Sequence, residues 1–183
     1  DFPFLTLVGV LDADNALYSP DYRAPEKLFS QLMQVSGRAG RSNIKGEVLI
    51  QTAFPNNPVF EGVKKHNYEI FARTLLQERQ QMSLPPYSFS AILRVESKKI
   101  NYGEQFVNSA AKFAESLSNK VVIYDPVRPS IERLKGYERF QLFIQADTRK
   151  DLQNLLREWV AYLRQCALAS RVKWSIDVDP IEF

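Results

Sequence analysis

The second half of the chain alternates between two spacings of apolar residues. Strands are predicted where every second residue is apolar, and helices where apolar residues recur three or four positions apart. These patterns predict helices near 102–117 and 149–167, and strands at 88–96, 121–124, 140–146 and 172–178. The order βαββαβ predicts helices on one side of an antiparallel-rich sheet, an α+β split-βαβ sandwich.

The first half predicts a different arrangement. Its apolar runs predict strands near 4–11 and 47–52, helices at 26–35 and 67–82, and a loop over 15–25. Strand–helix–strand order is typical of part of a larger α/β sheet that lacks its opening strands. The double proline in Leu84-Pro85-Pro86-Tyr87 ends the second helix, because proline has no N–H donor and disfavours helix before it. We therefore predict domains 1–84 and 85–183.

Composition is typical of a folded globular protein, with 45% hydrophobic and 25% charged residues among 183. The sequence has neither the roughly 18 unbroken apolar residues of a membrane helix nor a secretory signal. It starts at Asp1 and enters an apolar strand almost at once, which predicts a piece of a longer protein. The single Cys166 excludes an internal disulfide or a cysteine-rich zinc site and has the spacing of a buried apolar residue. With His66 as the lone histidine, no metal site is predicted.

The net charge of +3 is carried entirely by the second half. Residues 1–86 hold nine basic and nine acidic side chains, whereas residues 87–183 hold fifteen and twelve. A net charge this small does not by itself indicate a nucleic-acid partner, but its distribution favours a local basic surface that contacts phosphates.

A basic segment with interleaved aromatic residues, 127–140, lies between the two central strands of the second half. Basic groups can neutralise phosphates, a tyrosine can stack on an unpaired base, and Gly136 suits a hairpin turn. The alternative is an ordinary charged hairpin with a buried Phe140. Lys98-Lys99 and Arg171-Lys173 are interpreted as solvated strand ends. The candidate DNA contacts are Arg128, Arg133, Lys135, Tyr137 and Arg139.

The motif with the clearest chemistry is Gln-Val-Ser-Gly-Arg-Ala-Gly-Arg at residues 34–41. Arginine is always charged, and its fork of donors fits phosphate oxygens. Gly37 and Gly40 leave the backbone uncrowded and can adopt conformations closed to other residues. The arrangement suits insertion of Arg38 and Arg41 into a phosphate site on a facing domain. The alternative is a helix end, with arginines that offset its dipole and glycines that cap it.

This motif resembles motif VI of superfamily 2 helicases. Three further stretches resemble the primosomal protein N′ family of replication-restart helicases: 8–26 before the motif, and 84–87 and 172–180 after it. All four occur in the order seen in that family. The chain resembles that family over nearly its whole length. The resemblance implies the C-terminal portion of a second RecA-like helicase lobe, followed by an α+β DNA-binding domain.

The resemblance also implies roles for individual residues. Arg41 would be the arginine finger and Arg38 the second candidate, and both would face a nucleotide. The same side would hold Gln34, Gly37, Gly40 and Asp14. Asp12 and Asp14 would couple nucleotide state to the DNA groove; the alternative is a strand end whose carboxylates face water.

The cofactors that the resemblance implies are ATP and Mg²⁺, bound mainly by the first lobe, and Zn²⁺ in a cysteine-rich insertion. The sequence contains no phosphate-binding loop, no magnesium-binding Asp-Glu pair and no such insertion. We therefore expect this chain alone to bind DNA, to hydrolyse no ATP and to hold no cofactor.

The implied partners are forked and single-stranded DNA, single-stranded-DNA-binding protein and other primosome proteins, in the bacterial cytoplasm and away from membranes. Two alternatives stay open from the residues alone. One is a non-enzymatic nucleic-acid-binding module, and the other is a protein-docking domain.

Overall fold

The computed structural model describes residues 5–19, 21–39 and 46–180. The chain divides into two compact units, Asp1–Met82 and Ser83–Phe183. Both mix helices with sheet, which confirms the mixed α/β class. None of the helices in the described ranges is long and apolar enough to cross a membrane.

The first unit has a two-stranded parallel sheet and three helices. Strand β1 (Leu7–Val10) pairs with β2 (Glu47–Ile50), and Leu7 lies opposite Glu47. Helices α1 (Ala24–Ser36), α2 (Pro58–Lys64) and α3 (Tyr68–Gln81) share a buried apolar core. Its large members are Leu28, Phe29, Leu32, Val59, Phe60, Val63, Phe71 and Leu75.

Two elements of the first unit differ from the prediction. Helix α2 was not predicted, because no element was assigned between the strand at 47–52 and the helix at 67–82, a stretch that contains Pro55 and Pro58. Pro58 instead occupies the first turn, where a missing N–H costs nothing, and the Asn57 side chain accepts a hydrogen bond from the Val59 N–H. In addition, a 3-10 helix at Ala13–Tyr18 overlaps the predicted loop.

The second unit has a five-stranded antiparallel sheet. Its strands are β3 (Phe89–Ser97), β4 (Val121–Ile123), β5 (Arg133–Leu134), β6 (Tyr137–Ala146) and β7 (Val172–Val178). Four of them lie in the order β4-β6-β3-β7, and β5 pairs with β6 as a hairpin. Helices α4 (Ile100–Leu117) and α5 (Arg149–Gln165) pack on one face. Apart from β5, these elements follow the predicted βαββαβ order.

The core of the second unit forms between this sheet and its two helices. Alternate residues of β3 are buried against them, among them Leu93 and Val95. Trp159 on α5 is fully buried, and its indole Nε1–H donates to the carbonyl of Ala110 on α4 at 2.9 Å. This bond satisfies the one polar group of the indole, so the two helices are held by a directional contact as well as by apolar burial.

Gly103, in the first turn of α4, tests the packing of this core. An added methyl group would lie 2.5 Å from Cε2 of Phe140, whose ring is buried in the core. Overpacking of this kind outweighs the helix propensity that alanine gains, so Gly103→Ala should lower the free energy of unfolding by about 1–2 kcal/mol. Urea unfolding followed by tryptophan fluorescence measures the change. The exposed Asn108→Ala on the same helix is the control, and equal stabilities of the two variants would contradict the packing described.

Candidate functional site

The arginine motif begins at the C-terminal end of α1. Gln34 and Arg38 are exposed, and the backbone N–H groups of Gly37 and Arg38 donate to the carbonyls of Met33 and Val35 at 3.1 and 3.0 Å. Gly37 has an ordinary helical φ of −70°, and an added Cβ would meet nothing nearer than 3.6 Å. Gly37 therefore leaves the backbone uncrowded but does not use a conformation closed to other residues. Gly40 and Arg41 lie outside the described residues.

Asp14 links the segment after β1 to the end of β2. Its carboxylate accepts hydrogen bonds from the Thr52 hydroxyl and, at 2.7 Å, from the Ala53 N–H. Asp12 precedes it in a left-handed conformation with φ of 55° and accepts a hydrogen bond from Asn15. Sequence reasoning missed the Thr52 contact because the two residues are 38 positions apart. The coupling role of Asp14 stays a prediction.

Arg79 of α3 anchors the segment that leads into α1. Its side chain is 9% exposed, and its guanidinium pairs with Glu26 at 2.9 Å. It donates to the Tyr22 carbonyl at 3.2 Å and lies 4.8 Å from the centre of the Tyr22 ring. Sequence reasoning missed Arg79, because nothing in its polar surroundings distinguishes it from a solvated helix residue.

Asp21 orders the same segment. Its carboxylate pairs with Lys27 at 2.8 Å and accepts from the Arg23 N–H at 2.9 Å. Burial raises the pKa of Asp21, but these hydrogen bonds and the two positive charges outweigh it and hold the pKa below its usual value. The charged form is therefore favoured in the folded chain, and its contribution to stability is lost as the pH falls through this lowered pKa.

The basic segment of the second unit forms the expected hairpin between β5 and β6. Lys135 and Gly136 are its two turn residues, with φ of 50° and 83°. Positive φ at both positions is typical of a type I′ turn, which matches the twist of paired strands. Lys135 is exposed at this tip.

The three arginines of the hairpin segment differ in their surroundings. Arg128 is half-buried and pairs with Glu138 and, at 3.2 Å, with Glu132. Arg139 donates to the Ile131 carbonyl at 3.2 Å, and its Nε lies 3.8 Å from a carboxylate oxygen of Glu96. These two arginines hold the segment together.

Arg133 differs from both. Its side chain is 69% exposed, and within the part of the chain that the structure describes its one carboxylate contact is with Glu138, at 3.5 Å. Arg133 and Lys135 are therefore the candidate contacts that the hairpin presents to solvent.

Tyr137 does not present a fully open ring for base stacking. It is half-buried, and the ammonium groups of Lys173 and Lys98 lie 4.3 and 6.0 Å from its ring centre. From the sequence alone, these lysines are interpreted as separate solvated strand ends. Lys98 directly follows β3 and Lys173 lies in β7, and only the strand register shows that they meet.

The residues that bind metals in proteins offer no site in the described ranges. No group of three or more histidine, cysteine or acidic side chains is close enough there to hold an ion. His66 is exposed, and Cys166 packs partly buried against the core of the second unit.

A family model described as Primosomal protein N C-terminal domain matches residues 80–181, which cover the second unit almost completely. The chain belongs to this family. Both candidate contacts of the hairpin, and the tyrosine with its two lysines, lie within the primosomal protein N C-terminal domain.

Relatives extend the similarity through the first unit. Proteins named "Replication restart protein PriA" are 35% identical in Haemophilus influenzae and 35% identical in Bacillus subtilis, each over 98% of this chain. The protein of that name in Synechocystis is 40% identical over 99% of the chain. The matches cover 24%, 22% and 21% of these relatives. The chain therefore spans about a quarter of their length.

The anchoring role of Arg79 in this family member can be measured. Arg79→Met removes the ion pair with Glu26 and the hydrogen bond to the Tyr22 carbonyl, so it should destabilise the first unit by about 1–3 kcal/mol. Arg73→Met on the same helix removes an exposed pair with Glu69 and should change stability by less than about 0.5 kcal/mol. Native-state hydrogen exchange of the α1 amides reports the difference. Equal exchange in the two variants would contradict the anchor.

Proposed function

We propose that this chain is the C-terminal part of an ATP-dependent DNA helicase that recognises stalled or branched forks and restarts replication in the bacterial cytoplasm. Family membership and the shared name of the relatives support this proposal. Because the chain spans about a quarter of those relatives, the motor activity belongs to the full-length protein.

The exposed sheet of the first unit supports a RecA-like lobe. Leu7 of β1 and Leu49 of β2 point to the same face, and they are 52% and 55% exposed. Parallel strands are ordinarily buried on both faces, with helices as the covering layers. Further strands and a second helical layer would bury these leucines, as expected if residues 1–84 are the C-terminal portion of a second RecA-like lobe.

The arginine motif supports a role in ATP hydrolysis. In this proposal Arg41 is the arginine finger, Arg38 acts beside it, and Gln34 and Asp14 belong to the nucleotide-facing side together with Gly37 and Gly40. Exposed guanidinium groups fit phosphate oxygens, and the position of Arg38 at a helix end leaves its side chain accessible. ATP would supply the phosphoryl group and Mg²⁺ would neutralise part of its charge, while the arginines would stabilise the charge that spreads over the group during transfer.

The remaining parts of the motor are proposed to lie outside this chain. The sequence has no phosphate-binding loop, so ATP and Mg²⁺ are bound mainly by the first lobe. A single cysteine cannot form the cysteine-rich Zn²⁺ site of the family, which is assigned to another segment of the full-length protein.

The exposed cations of the hairpin carry the DNA-binding proposal. Lys135 lies in the type I′ turn and Arg133 in the adjoining strand β5. Arg128 and Arg139 support the hairpin through ion pairs with Glu138 and Glu96. Phosphates of forked or single-stranded DNA are the partners that such a tip suits. Single-stranded-DNA-binding protein and other primosome proteins complete the proposed set of partners.

The hairpin is tested by Arg133→Gln with Lys135→Gln in the 183-residue chain. Loss of two phosphate contacts should weaken binding to forked DNA and lower the salt slope of log K by roughly 1.8. The control, Arg157→Gln with Lys112→Gln, removes the same charge from exposed helix positions. Fluorescence anisotropy over a salt series measures both, and equal slopes in the two variants would exclude a hairpin contact.

The motor role is tested in the full-length protein. Arg41→Ala should lower DNA-stimulated ATP hydrolysis by about 10³–10⁵-fold while ATP binding and fork binding persist, because the finger acts on charge that develops during transfer. Arg38→Ala should also lower the rate, and Arg157→Ala should not. A steady-state ATPase assay decides the matter, and a fully active Arg41→Ala enzyme would assign these arginines to a structural helix end.

A further inference from the structure

Four cations from separate parts of the chain gather on two tyrosines at one end of the second unit's sheet. Lys98 and Lys173 lie over Tyr137, as described above. Lys99 and Arg171 lie 5.5 and 5.9 Å from the ring centre of Tyr102. We call this set the strand-end cluster: Lys98, Lys99, Arg171 and Lys173 with Tyr102 and Tyr137.

Strand register explains the meeting. Ser97, the last residue of β3, lies opposite Glu138 of β6 on one side and Val172 of β7 on the other. Paired strands lie about 4.8 Å apart, so the residues after Ser97 sit between the first residues of β6 and β7. Cations more than 70 positions apart in the sequence therefore share one end of the sheet.

The cations of the strand-end cluster make no ion pair with an acidic side chain within the described ranges. All four are exposed, in contrast to the three paired arginines of the hairpin segment. The nearest acidic residue along β3 is Glu96, which lies opposite Lys173 in the strand register but pairs with Arg139, at 3.8 Å. The negative faces of the two rings reduce the repulsion between these cations. The result is a preformed positive surface.

We propose that the strand-end cluster is a second binding site, at which the phosphodiester backbone of DNA binds without reading the bases. Tyr102 and Tyr137 are positioning residues: their rings gather the cations, which contact the phosphates. Because cations lie over these rings, stacking of a nucleobase is not the mode of recognition here. The inference rests on the proposed DNA-binding function, which the hairpin supports independently.

The first test removes the two lysines on Tyr137. Lys98→Gln with Lys173→Gln should lower the salt slope for single-stranded DNA by about 0.7 per lost contact, or roughly 1.4 in total. The ligands are an oligothymidine of about 20 nucleotides and an abasic strand with the same number of phosphates. The salt slope is expected to decrease by the same amount on the oligothymidine and on the abasic strand. Lys112→Gln with Lys120→Gln, both exposed on the same unit, is the charge-matched control.

The second test separates positioning from stability. Tyr137→Phe keeps the ring and should keep the salt slope. Tyr137→Leu removes the ring and should lower the slope even where circular dichroism shows an unchanged unfolding temperature, because the lysines lose their common support. An unchanged slope in Tyr137→Leu would overturn the positioning role.

The remaining outcomes separate this site from the proposed function. If the Lys98/Lys173 variant binds like its control while the hairpin variant is weakened, the second site is overturned and the hairpin contact stands. If the loss occurs on oligothymidine and not on the abasic strand, the cluster reads bases, which contradicts backbone-only binding. If the unsubstituted chain binds forked DNA but neither of these single strands, the second site is overturned and the hairpin contact stands. If it binds no DNA at all, the second site and the DNA-binding function both fail.

Discussion

The pairing of β3 with both of its neighbours is the constraint on which the second unit depends. Phe89–Ser97 lies between β6 and β7 and fixes the register of both. A one-residue slip would turn Leu93 and Val95 away from the helices, so burial of these side chains specifies the register strongly. The same register brings Lys98, Tyr137 and Lys173 to one end of the sheet. Core packing and the candidate interface therefore have a common cause.

Ion pairing distinguishes the cations of the hairpin segment from those of the strand-end cluster. A DNA phosphate that contacts Arg128 must compete with two carboxylates that already pair with a half-buried guanidinium. Arg133 has a longer contact and is mostly exposed, and such a surface pair is worth at most about 1 kcal/mol. The cations of the strand-end cluster form no ion pair among the described residues, although Glu96 lies opposite Lys173 in the strand register. Binding of DNA there would gain the release of counterions without the loss of an internal ion pair.

Much of the second unit could be predicted from the sequence because its signals are local. Alternation within β7 or helical spacing within α5 depends only on which face of one element is buried. Capping and turn chemistry are local too: the sequence alone predicts a turn at Gly136, and the residue has a φ of 83°. Helix α2 was not predicted, because proline ends helices as well as begins them and the sequence does not show which of the two Pro58 does.

The site residues were harder to predict because they depend on contacts between distant positions. Asp14 bonds to Thr52, Arg79 bonds to Glu26, and Lys98 meets Lys173 over a ring from a third strand. No spacing rule connects such pairs. The motif at 34–41 can be seen in the sequence because its residues are contiguous. Such a run indicates a family, but it does not predict how the side chains are arranged in space. Gly37 illustrates the limit, since its backbone proved to be ordinary helix.

Contact with DNA through its phosphates is the role proposed for the second unit. Fluorescence-anisotropy binding of the unsubstituted chain to forked, single-stranded and blunt duplex DNA across a salt series tests this role. We expect binding to the fork to be tighter than binding to the blunt duplex and to weaken steadily as salt rises. No binding at low salt, or an affinity independent of salt, would contradict it and would favour a protein-docking role for this unit.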